Sequence, residues 1–499
     1  MTKFFRRLRK LRVLGWASAA LFVAIAASFW AQAFFKSSVV DDIIICVCAV
    51  ALAVLYFVGM RHVREAQMRD VVIFGALFAL IGFISVPFDS TDVFYYMAQG
   101  WGQTHYNANP YSNVLRDIPD GLNDPMIGSA WMTGNVNPWL DEPLPYGFVF
   151  AWITRGIAFL GSGYLWPTLA LFTLFNLLIH ASVTYLLWKT SSLLPNGDGK
   201  LVVYLYAWNP LVVLQFLANV HNDIIMGALI VLAFYLMMTR KTLWVLPTLI
   251  AAGLVKFVAL ALAPFAMIWV SRRHGWKPAL KGLALGVAIA VAISVPYLRD
   301  FRSFKFHDLV VQLTESKGSL HAFIVLTARA VARVVHAPPL DLATLSWFTT
   351  GLLWLVVAVF TAREMNRSWT NRRGDMIEVS SRWTAVMFVV IFIGSSQFYA
   401  WYIGMLLPLA LLGAGSSALT DAVVLLSGTH MLGFTFVQRK SMGYSLVSTA
   451  LPLAILLWQR HKSARSAPLL APCLSVVKPG EASVGSGLHS EPHGEFLTS

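Results

Sequence analysis

Charge is scarce in this chain. Only 12% of its 499 residues are Asp, Glu, Lys or Arg, against about 25% in soluble domains. With 57% hydrophobic residues and a mean hydropathy of +0.65, that scarcity excludes an ordinary soluble enzyme. Cysteine is scarcer still. Cys46 and Cys48 lie in an apolar run and Cys473 in the C-terminal tail, so no extracytoplasmic disulfide framework is available. There is no Walker loop, no Rossmann glycine fingerprint, no His-Glu-x-x-His and no cysteine metal pair, which leaves nucleotide cradling and zinc hydrolysis without a carrier. The net charge of +14 is no nucleic-acid signal. The bases cluster in short links between apolar runs, as the positive-inside rule produces.

What the chain has instead is a series of apolar runs long enough to cross a bilayer as helices. They predict an all-α, multi-pass integral membrane protein with about 12–14 transmembrane helices over residues 1–458. The spans read 13–35, 43–60, 71–88, 164–188, 201–218, 224–239, 279–297, 342–361, 383–396, 399–415, 418–433 and 443–458. Residues 243–270 are too long for one span and too short for two. Two short helices meeting near Lys256 are expected there, and broken helices at membrane depth line a protected cavity. Segments 146–160 and 319–336 read as helices lying at the outer interface. Six bases in the first twelve residues and Arg61, Arg64 and Arg69 in the second link place both termini in the cytoplasm of an inner-membrane protein. Residues 459–499, polar and rich in Ser, Pro and Gly, read as a disordered cytoplasmic tail.

The exception to this apolar character is a large first extracytoplasmic loop, 89–147. It holds seven acidic residues (Asp89, Asp92, Asp117, Asp120, Asp124, Asp141, Glu142) against the single Arg116. A long polar loop in a membrane protein points to function. Asp92 stands just before the aromatic run Val-Phe-Tyr95-Tyr96, where a carboxylate can take a proton from a sugar hydroxyl. The competing reading is helix capping by Ser90, Thr91 or Asp92. His221-Asn222-Asp223, between two apolar spans, suits sugar hydroxyls or a phosphate, and equally suits a capped turn. Lys256 is the only charge between Lys241 and Arg272. An ionisable group at that depth is a site by default, with a lipid phosphate as its natural partner, and the competing reading is a lysine that snorkels to the nearer interface. Trp131, Trp139, Tyr146 and Gln397-Phe-Tyr399-Ala-Trp401-Tyr402 offer sugar-stacking rings or an interface belt. Arg299, Arg302, Lys305, Arg329 and Arg333 fall on the outer face, where they bind lipid phosphate or anchor to headgroups.

Taken in order, Thr91-Asp92-Val-Phe-Tyr-Tyr-Met-Ala-Gln-Gly100, Asn109-Pro110-Tyr111, Pro145-Tyr146-Gly147, Trp208-Asn209-Pro210, His221-Asn222-Asp223, Lys256-Phe257 and Gln397…Trp401-Tyr402 resemble the GT-C superfamily of integral membrane glycosyltransferases. The resemblance is nearest to the polyprenyl-phosphomannose-dependent α-mannosyltransferases of bacterial lipoglycan synthesis. It covers about residues 70 to 415. It implies a GT-C-like bundle and an inverting, nucleotide-independent transfer of a hexose, mannose first among them. The donor would be a polyprenyl-phosphate sugar and the acceptor a glycan or a lipid-linked glycan. By the same resemblance Asp92 is the catalytic base. The substrate-binding set would be Asp89, Tyr95, Tyr96, Asn109, Tyr111, Tyr146, His221, Asn222, Asp223, Lys256, Gln397, Trp401 and Tyr402. Two positions depart from the family pattern, Phe148 after Pro-Tyr-Gly and Ala400 before Trp-Tyr.

The partners expected are therefore the lipid bilayer, the lipid-linked donor and the acceptor, with no nucleic acid and no resident cofactor. The acidic loop leaves a divalent ion open, since no spacing there defines ligands. A membrane transporter or flippase of a lipid-linked or polar solute is the rival reading, because broken helices and an intramembrane lysine suit it too.

Overall fold

Helix is the only element these apolar runs can form in lipid, because each backbone N–H and C=O must then be satisfied within its own segment. The computed structural model bears this out. It describes residues 2–35, 39–88, 90–129, 138–195, 197–299, 301–305, 316–336, 341–371, 375–413 and 418–436, with parts of 451–458. In chain order the helices are α1 (Thr2–Phe34), α2 (Val39–Met60), α3 (Met68–Ile84), α4 (Asp92–His105), α5 (Phe148–Gly161), α6 (Leu165–Ser192), α7 (Gly199–Ala207), α8 (Pro210–Ala218) and α9 (Asp223–Met238). They continue as α10 (Val245–Gly253), α11 (Ala263–His274), α12 (Trp276–Leu298), α13 (Leu320–Val334), α14 (Leu342–Thr370), α15 (Met376–Val389), α16 (Trp401–Leu411) and α17 (Ala418–Phe436). Among the described residues there is no strand. An isolated parallel bridge joins Lys317 to Gln397.

Among the described residues six helices are long and apolar enough to cross a membrane: the apolar part of α1 from Lys10, then α2, α6, α12, α14 and α15 with its extension to Gly394. The expected spans 71–88, 224–239 and 399–415 fall on the shorter helices α3, α9 and α16. The expected single span 201–218 is two pieces, α7 and α8, bent by 48°. The cause is local. Pro210 cannot continue α7, and the Asn209 side chain accepts from the N–H groups of Leu211 and Val212 to start α8 afresh. The expected span 443–458 and the tail 459–499 lie largely outside the described residues.

The loop that carries Asp92 is not free-standing. Helix α4 packs along α5 at a crossing that only a glycine permits, since a Cβ on Gly100 would land on the Thr154 backbone and on Ala158. The loop is further tied to α12, where Asn109 Nδ2 donates to the Tyr297 carbonyl at 2.8 Å and Tyr297 donates to Gln103 at 3.0 Å. Lys305, one of the bases expected on the outer face, ion-pairs with Asp117 at 3.2 Å, and its backbone N–H bonds the Tyr111 carbonyl. That lysine closes the loop.

Candidate active site

The site grows from three interruptions in helices. At the first, α4 opens on Asp92. Ser90 Oγ accepts the Asp92 N–H at 3.2 Å, and Thr91 occupies the cap position with no side-chain bond. The Asp92 side chain is thus not a cap. It turns inward, 13% exposed, with Oδ2 3.4 Å from His221 Nδ1. One turn on, the Tyr96 hydroxyl is 3.5 Å from the same oxygen and 3.2 Å from the Tyr146 hydroxyl.

The second interruption is the turn 219–222. Helix α8 becomes a π-helix over Val213–Ala218, a form that recurs at functional sites. Val220 follows with φ +58°, a left-handed conformation that costs a β-branched residue about 1–3 kcal/mol. Asn176 of α6 holds this turn, donating to the carbonyls of Phe216 (2.8 Å) and His221 (3.1 Å). Asn222 stands in the cap position of α9 without a side-chain cap bond, so capping does not account for the His-Asn-Asp triplet. Both His221 ring nitrogens, both Asn222 amide atoms and Asp223 Oδ2 are buried without an aligned hydrogen-bond partner among the described residues. Buried polar atoms in that state mark a place where a polar ligand or water belongs.

The third interruption lies between α10 and α11, as the broken segment at Lys256 predicts. Helix α10 stops at Gly253, Lys256 is extended, and a 3-10 turn, Phe257–Leu262, precedes α11. The freed carbonyls are taken up by the Pro-Tyr-Gly segment, as the Gly147 N–H bonds Val255 O (3.1 Å) and the Val149 N–H bonds Leu254 O (2.9 Å). Gly147 must be glycine, because a Cβ there would sit 2.5 Å from the Leu254 carbonyl carbon. The docked segment sets Tyr146 so that Lys256 Nζ lies 5.4 Å from its ring centroid and 5.1 Å from that of Tyr402. Lys256 Nζ also reaches Asp223 Oδ1 at 2.6 Å.

Trp401 and Tyr402, opening α16, complete the walls. The Trp401 ring stacks on His221 at 3.8 Å, and Tyr399 stacks on Trp401 at 4.5 Å. Burial pushes the Asp92 carboxyl up, but His221, the Ser90 hydroxyl and the Lys256 charge together pull it below its ordinary value. Asp92 is therefore a carboxylate at neutral pH. Burial first, and negative charge nearby after it, pushes the Tyr96 and Tyr146 phenols up, so both stay protonated.

The structure thus gathers Asp92, Tyr96, Tyr146, His221, Asn222, Asp223, Lys256, Trp401 and Tyr402 from the expected set. Four others support rather than line it. Tyr95 points into the loop, donating to the Glu142 carbonyl at 3.1 Å and stacking on Trp139. Tyr111 props the Tyr146 carbonyl at 2.9 Å, Asn109 ties the loop to α12, and Gln397 accepts from Tyr399 at 3.2 Å. Asp89 and Trp131 lie outside the described residues. Asn176 escaped the sequence reading. Its signal was there, a lone amide within the apolar run of α6.

A family model described as alpha-(1->6)-mannopyranosyltransferase, N-terminal domain, matches residues 11–272, just over half of the chain. The chain belongs to this mannopyranosyltransferase family. The matched stretch contains Asp92, Tyr146, the His-Asn-Asp turn and Lys256, while Trp401 and Tyr402 lie beyond it. The chain is 26% identical over 350 residues to Alpha-(1->6)-mannopyranosyltransferase A of Mycobacterium tuberculosis, covering 66% of this chain and 63% of that protein. A second alpha-(1->6)-mannopyranosyltransferase of the same organism is 30% identical over 149 residues, 29% of this chain and 23% of that protein. The chain therefore spans less than two thirds of the length of these relatives.

Proposed function

We propose that this protein transfers a mannosyl residue from a polyprenyl-phosphate donor to a hydroxyl of a glycan or lipid-linked acceptor, with inversion, at the extracytoplasmic face of the inner membrane. One observation carries the reading. A carboxylate, Asp92, and a cation, Lys256, flank the Asn222 amide and Asp223 Oδ2, buried polar atoms of one turn that have no bonded partner among the described residues. Membership of the mannopyranosyltransferase family supports the sugar, and the ordered motifs support the lipid donor.

In this mechanism the acceptor oxygen forms its bond to the anomeric carbon as the bond from that carbon to the phosphate oxygen breaks. The acceptor proton passes to Asp92, and the lipid phosphate leaves with the bonding electrons. No general acid is required, because a phosphate is already a good leaving group. Lys256 holds Asp223 with one N–H and has others to offer the departing phosphate. Asp223 Oδ2 and Asn222 accept and donate to sugar hydroxyls, and His221, clamped by Trp401, fixes the Asp92 carboxylate.

The test is purified protein incubated with radiolabelled polyprenyl-phosphomannose or with a mannose nucleotide, each with glycan and lipid-linked acceptors. Label should move to an acceptor from the lipid donor only. Transfer from the nucleotide donor would overturn the donor assignment. Translocation of intact donor across proteoliposomes without transfer would establish the transporter instead.

A further inference from the structure

At the opposite end of the bundle lies a second concentration of chemistry that the transfer site does not use. Helix α11 ends in Arg272-Arg273-His274, α14 ends near Arg367, and α15 begins beside Glu378 and Arg382. From there α15 and its π extension, Val390–Gly394, run nineteen residues toward the Gln397–Trp401 segment. At helical rise that puts this end roughly 28 Å from the transfer site. The ends of α11, α14 and α15 enclose a cavity of about 50 Å³, lined by Trp269, Arg272, Arg273, Glu378, Arg382 and Trp383 among others, with the Glu378 carboxylate bound to Arg382. A single water needs about 10–15 Å³, so a tetrahedral oxyanion group has room.

The charge there is not balanced internally. Arg367 bonds Glu364, and Arg382 bonds both Glu378 and Glu364, so two carboxylates serve two guanidinium groups. Arg272 has no carboxylate among the described residues. Its guanidinium lies 4.9 Å over the Trp369 ring. Trp269 lines the same cavity, flanked by Arg273 at 5.4 Å and His274 at 5.6 Å, and its indole N–H is buried without an acceptor among the described residues. A guanidinium without an anion and a buried N–H without an acceptor, on one small cavity, ask for the same thing: a negatively charged oxygen.

We propose that this cavity binds the phosphate of an anionic phospholipid headgroup, with Arg272 and Trp269 Nε1 as donors and Arg382 as the flanking charge. The lipid, rather than free phosphate, is the source that fits. The walls supplied by Phe265, Val379 and Trp383 are apolar, and Trp269, Trp276 and Trp369 crowd this end in the manner of rings at headgroup level. Basic links that merely follow the positive-inside rule send their side chains to water and leave no buried donor unmet. The bound lipid would tie together the ends of α11, α14 and α15, the last of which leads to the Trp401 wall of the transfer site.

Native mass spectrometry of the full chain, released from bilayers of phosphatidylglycerol or of phosphatidylcholine, tests this. The wild type should retain one phosphatidylglycerol through detergent exchange, should not retain phosphatidylcholine, and should keep its lipid in millimolar inorganic phosphate. Arg272→Gln and Trp269→Phe, the latter keeping a ring but removing the N–H, should each lower the retained fraction about tenfold, the scale of a charge-assisted hydrogen bond. Lys277→Gln, exposed nearby and outside the cavity, should retain lipid as the wild type does. Arg272→Lys, which keeps stem and charge, should give an intermediate fraction and serves if the glutamine variant does not yield folded protein. Equal retention by wild type and the Trp269 and Arg272 variants would overturn the site. Equal retention of phosphatidylcholine would overturn anionic selectivity, and displacement by inorganic phosphate would overturn the lipid as ligand.

Discussion

Lys256 Nζ stands 2.6 Å from Asp223 Oδ1, so the cation proposed to meet a lipid phosphate is already one half of a buried ion pair. The sequence shows Lys256 as a lone charge in an apolar segment; the fold supplies a partner thirty-three residues earlier. Removing one member of a buried pair strands the other, which costs about 3–5 kcal/mol, whereas replacing both is far milder.

Lys256→Met should therefore destabilise the protein and abolish donor use together. The double variant Lys256→Met with Asp223→Asn should regain most of the stability and none of the transfer. Thermal unfolding in detergent, read beside transfer at saturating donor, separates the two effects. Transfer restored in the double variant would show that the pair is structural only.

The Pro-Tyr-Gly segment gives a contrast between two glycines. At Gly147 a Cβ would strike the Leu254 carbonyl, while at Gly156 of α5 nothing lies within 4 Å. Gly147→Ala should destabilise by about 1–3 kcal/mol and lower transfer by moving Tyr146 off Lys256. Gly156→Ala should be neutral or stabilising by up to about 1 kcal/mol, as expected for an exposed helix position. Equal melting temperatures for the two variants would refute the docking of this segment on the α10 break.

The side of the membrane is open to a direct measurement. Single cysteines at Ser112 and at Asn371 test the contrast between the acidic loop 89–147 and the basic links. The first should react with a membrane-impermeant reagent in intact cells and the second should not. The reverse pattern would place Asp92 in the cytoplasm.

Much of the site was legible because polarity in an apolar chain stands out. Asp92, the His221-Asn222-Asp223 turn and Lys256 are conspicuous, and the length of 243–270 foretold the break that Lys256 occupies. What sequence could not supply was direction. Tyr95 and Tyr96 are neighbours, yet successive helix positions face different ways, and only Tyr96 reaches Asp92. Asn109 and Tyr111, which the resemblance implies bind substrate, bond backbone carbonyls that hold the loop in place. The Lys256–Asp223 pair and the Asn176 hold on the His221 turn join distant segments, so no local pattern announces them. The single span expected at 201–218 failed because the hydropathy of the run hid the Asn209-Pro210 signal that breaks it.

In the proposed transfer Asp92 takes the acceptor's proton, and Asp92→Asn removes that capacity. Because the Asp92 side chain caps nothing, the amide keeps the shape without disturbing α4. The lowered carboxyl gives wild-type transfer an acid limb below the ordinary carboxylate value of about 3.9. Activity is present above that limb and is lost as pH falls through it. The stability that ionised Asp92 lends the fold follows the same sign, present above the unfolded value and lost as pH falls through the folded one. The measurement is mannosyl transfer at saturating donor, normalised to correctly inserted protein. The variant should insert and bind donor normally yet transfer about 100-fold less or slower still, the scale of a general base. Near-wild-type transfer by Asp92→Asn would contradict the account.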